Sequence, residues 1–213
     1  GRLLDIFNIT LKDVEDWQPA CVAFSVYSST YNLGKRLAIA LKEKYQDILT
    51  LFGGIHVSID PEGVIREPAI DLICLGEGEE ALLELCERLS EKKSIKNVRN
   101  IWLKQDGDII RNPLRPPIKM DDLPVPNWDG FNPAHHYAPY RGKLLKTALM
   151  EFSRTCPFDC GYCGNRILKQ LYRNSGIKSL VRHKSPERFI SDMKYLKDNY
   201  GIEFVSITDG TFL

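Results

Sequence analysis

Between residues 20 and 89, short apolar runs alternate with segments whose apolar residues recur at helical spacing, and this alternation restricts the fold more than any other feature. Residues 20–26, 48–52 and 71–75 read as strands. Residues 31–45, with Leu33, Leu37, Ala40 and Leu41 on the repeat, and 79–89, with Leu82, Leu83, Leu85 and Cys86, read as helices. Strands alternating with helices predict an α/β fold with a parallel, doubly wound, flavodoxin-like sheet. Such sheets take ligands at the carboxyl ends of their strands.

The three predicted strand ends share a chemistry suited to a large ligand lying close to backbone. Ser25, Ser28, Ser29 and Thr30 offer hydroxyls beside a helix amino terminus. Gly53 and Gly54 let the chain pass near a flat ring, and Gly76 and Gly78, on either side of Glu77, do the same. Each loop alone equals an ordinary strand-to-helix turn. His56 is of a residue type that often binds metals.

Composition is that of an ordinary globular protein, 43% apolar and 27% charged over 213 residues. No apolar run reaches the length of a membrane span, and the opening residues lack the apolar stretch and cleavage site of a signal peptide, so a cytoplasmic protein is expected. Charge is divided unevenly. Residues 1–92 carry 9 Lys and Arg against 16 Asp and Glu, a net of −7, and residues 93–213 carry 20 against 12, a net of +8. Two domains account for that split.

Cys156, Cys160 and Cys163 are spaced C-x-x-x-C-x-x-C with no fourth cysteine after them. Cysteine thiolates hold iron–sulfur clusters, and three ligands on a [4Fe-4S] cube leave one iron open. Structural zinc would need a fourth ligand, and His183 is the nearest downstream candidate. A disulfide framework does not suit a run of three cysteines in a chain with no sign of secretion. Cys21, Cys74 and Cys86 fall in apolar patterns and are expected to be buried and inert.

With Tyr162 before its last cysteine, the run resembles the cluster motif of the radical S-adenosylmethionine superfamily. In that family the open iron is chelated by S-adenosylmethionine, whose reductive cleavage gives a 5′-deoxyadenosyl radical. The three strand-end loops, in their order, resemble the later part of the cobalamin-binding domain that precedes the radical barrel in many of these enzymes. The resemblance implies cluster ligation by Cys156, Cys160 and Cys163, and S-adenosylmethionine contacts from Tyr162, Asp209 and Gly210. It implies a corrinoid cradle from Ser25, Ser28, Ser29, Thr30, Gly53, Gly54, His56, Gly76, Glu77 and Gly78. His56 is read as a pocket residue and not as a cobalt ligand, since the Asp-x-His-x-x-Gly motif of cobalt-ligating domains does not occur here. The start of the cobalamin domain is expected to lie before residue 5.

The expected division is a partial cobalamin-binding domain over 1–92, a hairpin and Pro-rich linker over 93–145, and the start of a (β/α) radical barrel over 146–213. Within it, residues 147–152 form a strand leading to the cysteine loop, and Ser185-Pro-Glu187 caps a helix to about residue 200 whose buried side includes Phe189, Ile190, Met193, Tyr195 and Leu196. Residues 202–207 form the next strand. Trp128, Phe131 and Tyr137 are expected to anchor the linker. A basic set around the cysteines (Arg141, Lys143, Lys146, Arg154, Arg166, Lys169, Arg173, Lys178, Arg182 and Lys184) suits an anionic cofactor and an acidic electron donor such as flavodoxin or ferredoxin; no nucleic acid is expected. The resemblance implies a small-molecule or natural-product substrate and, as its commonest outcome, methyl transfer to an unactivated centre. Ring formation or methylthiolation with an empty first module is the alternative, and an iron–sulfur electron carrier the non-enzymatic one.

Overall fold

The computed structural model describes residues 2–177 and 180–212, so Lys178 of the basic set lies outside the described residues. The chain forms two compact units, residues 1–116 with 162–176, and residues 117–161 with 177–213.

The first unit opens with helix α1 (Arg2–Trp17), on which Val14 is buried while Ile6 and Ile9 are exposed. Then follow β1 (Cys21–Ser25), α2 (Tyr31–Lys44), β2 (Leu49–Gly53), the short helices α3 (Ile55–Ile59) and α4 (Pro61–Arg66), β3 (Leu72–Cys74) and α5 (Glu79–Ser90). The hairpin β4 (Ile101–Gln105) and β5 (Asp108–Arg111) turns on Asp106 and Gly107, both at positive φ. These strands make one sheet in the order β1-β2-β3-β4-β5, parallel across the first three and antiparallel across the last two. The α/β architecture is as expected. The hairpin extends the sheet instead of standing apart from it, because Leu72 pairs with Leu103 and Cys74 with Ile101.

Leu51, Leu72, Cys74, Ala81, Leu85, Val98, Ile101 and Leu103 form an apolar core on α5 and this sheet. Among the cysteines expected to be buried, Cys74 is so and Cys21 is partly so, but Cys86 is exposed. It sits on the outer side of α5 with Leu82 and Leu83, both also exposed. The same unit includes α6 (Gly164–Asn174), which follows the cysteine run in sequence.

The second unit holds β6 (Tyr137–Tyr140), β7 (Lys143–Met150), the two-residue strands β8 (Ser153–Arg154) and β9 (Arg182–His183), α7 (Pro186–Tyr200) and β10 (Phe204–Ile207). Strands β7 and β10 are parallel with α7 between them in sequence, the βαβ arrangement expected of a first barrel unit, and β6 adds an antiparallel edge. Ser185 caps α7 by accepting from the Arg188 amide, Pro186 starts it, and Gly201 in the left-handed region ends it.

Phe189 and Leu196 are buried on α7, whereas Ile190 and Tyr195, expected on that side, are exposed. Asp192 takes the inner position. It is 1% exposed, and both its oxygens are satisfied, by Lys184 Nζ at 2.6 Å and Arg188 Nε at 2.7 Å. Trp128 packs against His136 and Tyr200 in this unit, but Phe131 and Tyr137 are exposed and do not serve as anchors. Lys169 and Lys184 are buried, so they are not part of a basic surface.

Candidate functional site

The three predicted loops lie at the carboxyl ends of β1, β2 and β3, and hydrogen bonds join each to the next. Ser28 Oγ lies 2.9 Å from His56 Nδ1, which links the first loop to the second. The imidazole also packs on Tyr31, with 4.3 Å between ring centroids. Ser58 Oγ accepts from the Gly76 amide at 3.0 Å, which links the second loop to the third. Glu77 is held by its backbone, the amide donating to Tyr172 Oη at 3.0 Å and the carbonyl accepting from Asn100 Nδ2 at 2.8 Å.

Ser25, Ser28, Ser29 and Thr30 are exposed, with Tyr27 exposed beside them. Thr30 Oγ1 accepts from the Tyr27 amide at 3.0 Å and so tightens its own turn. The glycines divide into two kinds. Gly54 and Gly76 sit at φ +94° and +68°, where only glycine is at ease. A Cβ on Gly54 would strike the Val26 backbone, and one on Gly76 would strike the Tyr172 phenol. Their absent side chains therefore make room for the protein itself. Gly53 and Gly78 are different: added Cβ atoms would meet only Cys74, at 3.7 Å and 3.6 Å, in ordinary contact. An exposed row of hydroxyls beside backbone free to accept close approach fits the edge of a corrinoid.

The cysteine run has its own geometry. Cys156 is buried, with Sγ 2.8 Å from Thr211 Oγ1. Cys160 is exposed, and Cys163 is half-buried as the residue that precedes the first turn of α6. Tyr162 is 94% exposed. Among the described residues no group of three or more His, Cys, Asp or Glu side chains is gathered as a metal site. The donor chemistry, three thiols with a hydroxyl against one of them, suits an iron–sulfur cluster.

Asp209 is occupied by the loop that leads to Cys156. Its Oδ1 accepts from the Phe152 amide at 2.8 Å, and its Oδ2 from the Ser153 amide at 2.8 Å and the Ser153 hydroxyl at 2.7 Å. Gly210 is exposed, and its carbonyl accepts from Thr211 Oγ1. Sequence reasoning did not single out Ser58, Asn100, Tyr172 or Thr211, since each acts through a partner remote in sequence.

Burial raises the Cys74 thiol to about 12 and the Cys21 thiol to about 11, the latter helped by Cys86 and Asp71. Both are therefore poor nucleophiles and metal ligands.

Residues 9–86 match the B12 binding domain family. The chain is 28% identical over 208 residues to an uncharacterized methyltransferase of Pyrococcus horikoshii, covering 97% of this chain and 43% of that one. It is 26% identical over 189 residues to the anaerobic magnesium-protoporphyrin IX monomethyl ester cyclase of Synechocystis, covering 88% and 36%. The chain thus spans less than half the length of these relatives. The fold is that of the radical S-adenosylmethionine methyltransferase TsrM from Kitasatospora setae, with a TM-score of 0.71 at 15% identity, covering 97% of this chain and 39% of that one.

Proposed function

We propose that this chain, which belongs with the radical S-adenosylmethionine enzymes carrying a cobalamin-binding domain, supplies the corrinoid loops and the cluster loop of a methyltransferase. Its substrate would be a small molecule or natural product with an unactivated carbon or phosphorus centre. The reading is supported most by the Pyrococcus relative, whose alignment omits too little of this chain to miss either the B12 binding domain or the cysteine run.

When bound, the cofactors would supply reductive cleavage of a carbon–sulfur bond at a [4Fe-4S] cluster and methyl carriage by cobalamin. The chain would hold and orient them. Cys156, Cys160 and Cys163 would ligate the cluster, and the Thr211 hydroxyl, turned from the Gly210 carbonyl, would donate to the Cys156 sulfur. Tyr162, Asp209 and Gly210 would border the S-adenosylmethionine. Asp209 would do so mainly by fixing residues 152 and 153, because three donors already occupy its carboxylate. The Ser25–Thr30 hydroxyls, Gly53 and Gly78 would face the corrinoid, with His56 held in the wall by Ser28 and Tyr31. A flavodoxin or ferredoxin would deliver the electron. Ring formation is the second reading, favoured by the similarity to the Synechocystis cyclase.

Anaerobic titration with hydroxocobalamin, followed by absorbance, tests the corrinoid half. Saturable binding of one equivalent is expected, weakened at least tenfold by Gly53→Leu, which adds a bulky side chain beside Cys74 at this strand end. No saturable binding would leave the first unit as an empty module and contradict the reading.

A further inference from the structure

We propose that Tyr172 is a positioning residue that ties the Gly76–Gly78 loop to the helix beginning after Cys163, so that corrinoid contact and the placing of Cys163 are coupled. The proposal rests on the functional reading above. Every residue in it lies within the first unit.

Helix α6 is seated at both ends. At its start, Gly164 faces α3, where an added Cβ would meet Ile59 at 3.4 Å and Ile55 at 3.6 Å. Helix α3 is the segment that follows Gly53 and Gly54. Near its end, Tyr172 is only 3% exposed, and its hydroxyl oxygen accepts from the Glu77 amide at 3.0 Å, across 95 positions of sequence. A buried phenol oxygen needs such a partner, and so does the amide.

Gly76 makes the approach possible. At φ +68°, its missing side chain leaves the space the phenol occupies; an added Cβ would stand 2.8 Å from Tyr172 Cζ. The far side of the loop is fixed as well, with the Gly76 amide on Ser58 and the Glu77 carbonyl on Asn100. A ligand that shifts this loop must therefore strain the tie to Tyr172. Because α6 is a rigid rod of roughly 16 Å, a displacement at Tyr172 reaches the residue that precedes its first turn. Cys163 is that residue. Any free energy linking loop and helix then acts in both directions, from corrinoid to Cys163 and back.

Hydrogen exchange read by mass spectrometry, with and without hydroxocobalamin, tests the coupling. In the wild-type chain, the corrinoid should slow exchange in the first turn of α6 as well as at residues 76–78. In Tyr172→Phe without ligand, exchange of the Glu77 amide should rise roughly five- to tenfold, the worth of one neutral hydrogen bond. In the same variant, corrinoid should still protect the loop but no longer protect α6. A tyrosine of merely structural importance would raise exchange throughout and leave the ligand's reach intact.

Protection of α6 that persists in Tyr172→Phe would overturn the proposal. So would a Glu77 amide that exchanges in the wild-type chain as fast as in a free peptide, a result that decides the matter even if the variant folds poorly. Failure of the wild-type chain to bind hydroxocobalamin would instead overturn the functional reading, and the ligand-free Glu77 comparison would still judge the tie.

Discussion

A methyl group on Gly54 would lie 2.7 Å from the carbonyl oxygen of Val26 and 2.8 Å from its nitrogen. The same two backbone atoms carry the crossing between the first and second loops, the Val26 amide donating to the Gly53 carbonyl and the Val26 carbonyl accepting from the His56 amide. Gly54 is therefore a requirement of the protein's own chain, at φ +94°, before it can be one for a ligand. Gly54→Ala should lower stability by about 1–3 kcal/mol, combining left-handed strain with the backbone clash. Gly53→Ala should cost less than ~1 kcal/mol, since its neighbours stand at ordinary contact distance. Urea unfolding of the two variants measures the contrast, and equal losses would refute it.

Asp192 should be the most costly polar residue to remove from the second unit. It is 1% exposed between Lys184, itself buried, and Arg188. Asp192→Ala would leave the buried ammonium without its counter-charge, at a cost of about 3–5 kcal/mol. Denaturant melts of the variant check this, and a loss below ~1 kcal/mol would mean that water reaches the pair.

Acid should loosen the contact between Asp121 and the start of α7. The Ser185 amide donates to Asp121 Oδ1 at 2.7 Å and holds that carboxyl below its ordinary value. A depressed folded-state value means the contribution is present above the unfolded-state value and is lost as pH falls through the folded one. The wild type should therefore lose more stability than Asp121→Asn between pH 5 and the acid limb below the ordinary carboxylate range. Parallel pH–stability curves for the two would contradict it.

Thiol reactivity should divide the cysteines by burial. Cys86 and Cys160 are exposed, while Cys74 and Cys21 are raised to about 12 and about 11. Iodoacetamide on the metal-free folded chain near pH 8 should label Cys86 and Cys160 at least tenfold faster than Cys74, because only the thiolate reacts. Peptide mapping reads the order directly.

Much of the frame was legible. Strands expected to end at residues 26, 52 and 75 end one residue away, at Ser25, Gly53 and Cys74, and the α7 cap followed from Ser185-Pro186. What periodicity misjudged was α7's inner face. The buried stripe is Phe189, Asp192 and Leu196, at helical spacing, but its middle member is charged, so a pattern of apolar residues pointed to Ile190 and Tyr195 instead. The roles of Gly54 and Gly76 were hidden for another reason. A glycine in sequence does not reveal whether its empty side holds a ligand or a neighbour, and here the neighbours are Val26 and Tyr172. The place of α6 was hidden likewise, because it depends on contacts with Ile55, Ile59 and Glu77 far back along the chain.

The central claim, a three-thiolate cluster loop joined to a B12 binding domain, is tested most directly by anaerobic reconstitution with iron and sulfide. The wild-type chain should take up about four irons and show a dithionite-reducible [4Fe-4S] signal by electron paramagnetic resonance. Alanine at Cys156, Cys160 or Cys163 should each abolish that signal, while Cys86→Ala keeps it. Tight stoichiometric zinc with no iron uptake, or a cluster that survives loss of any one of the three thiols, would contradict the account.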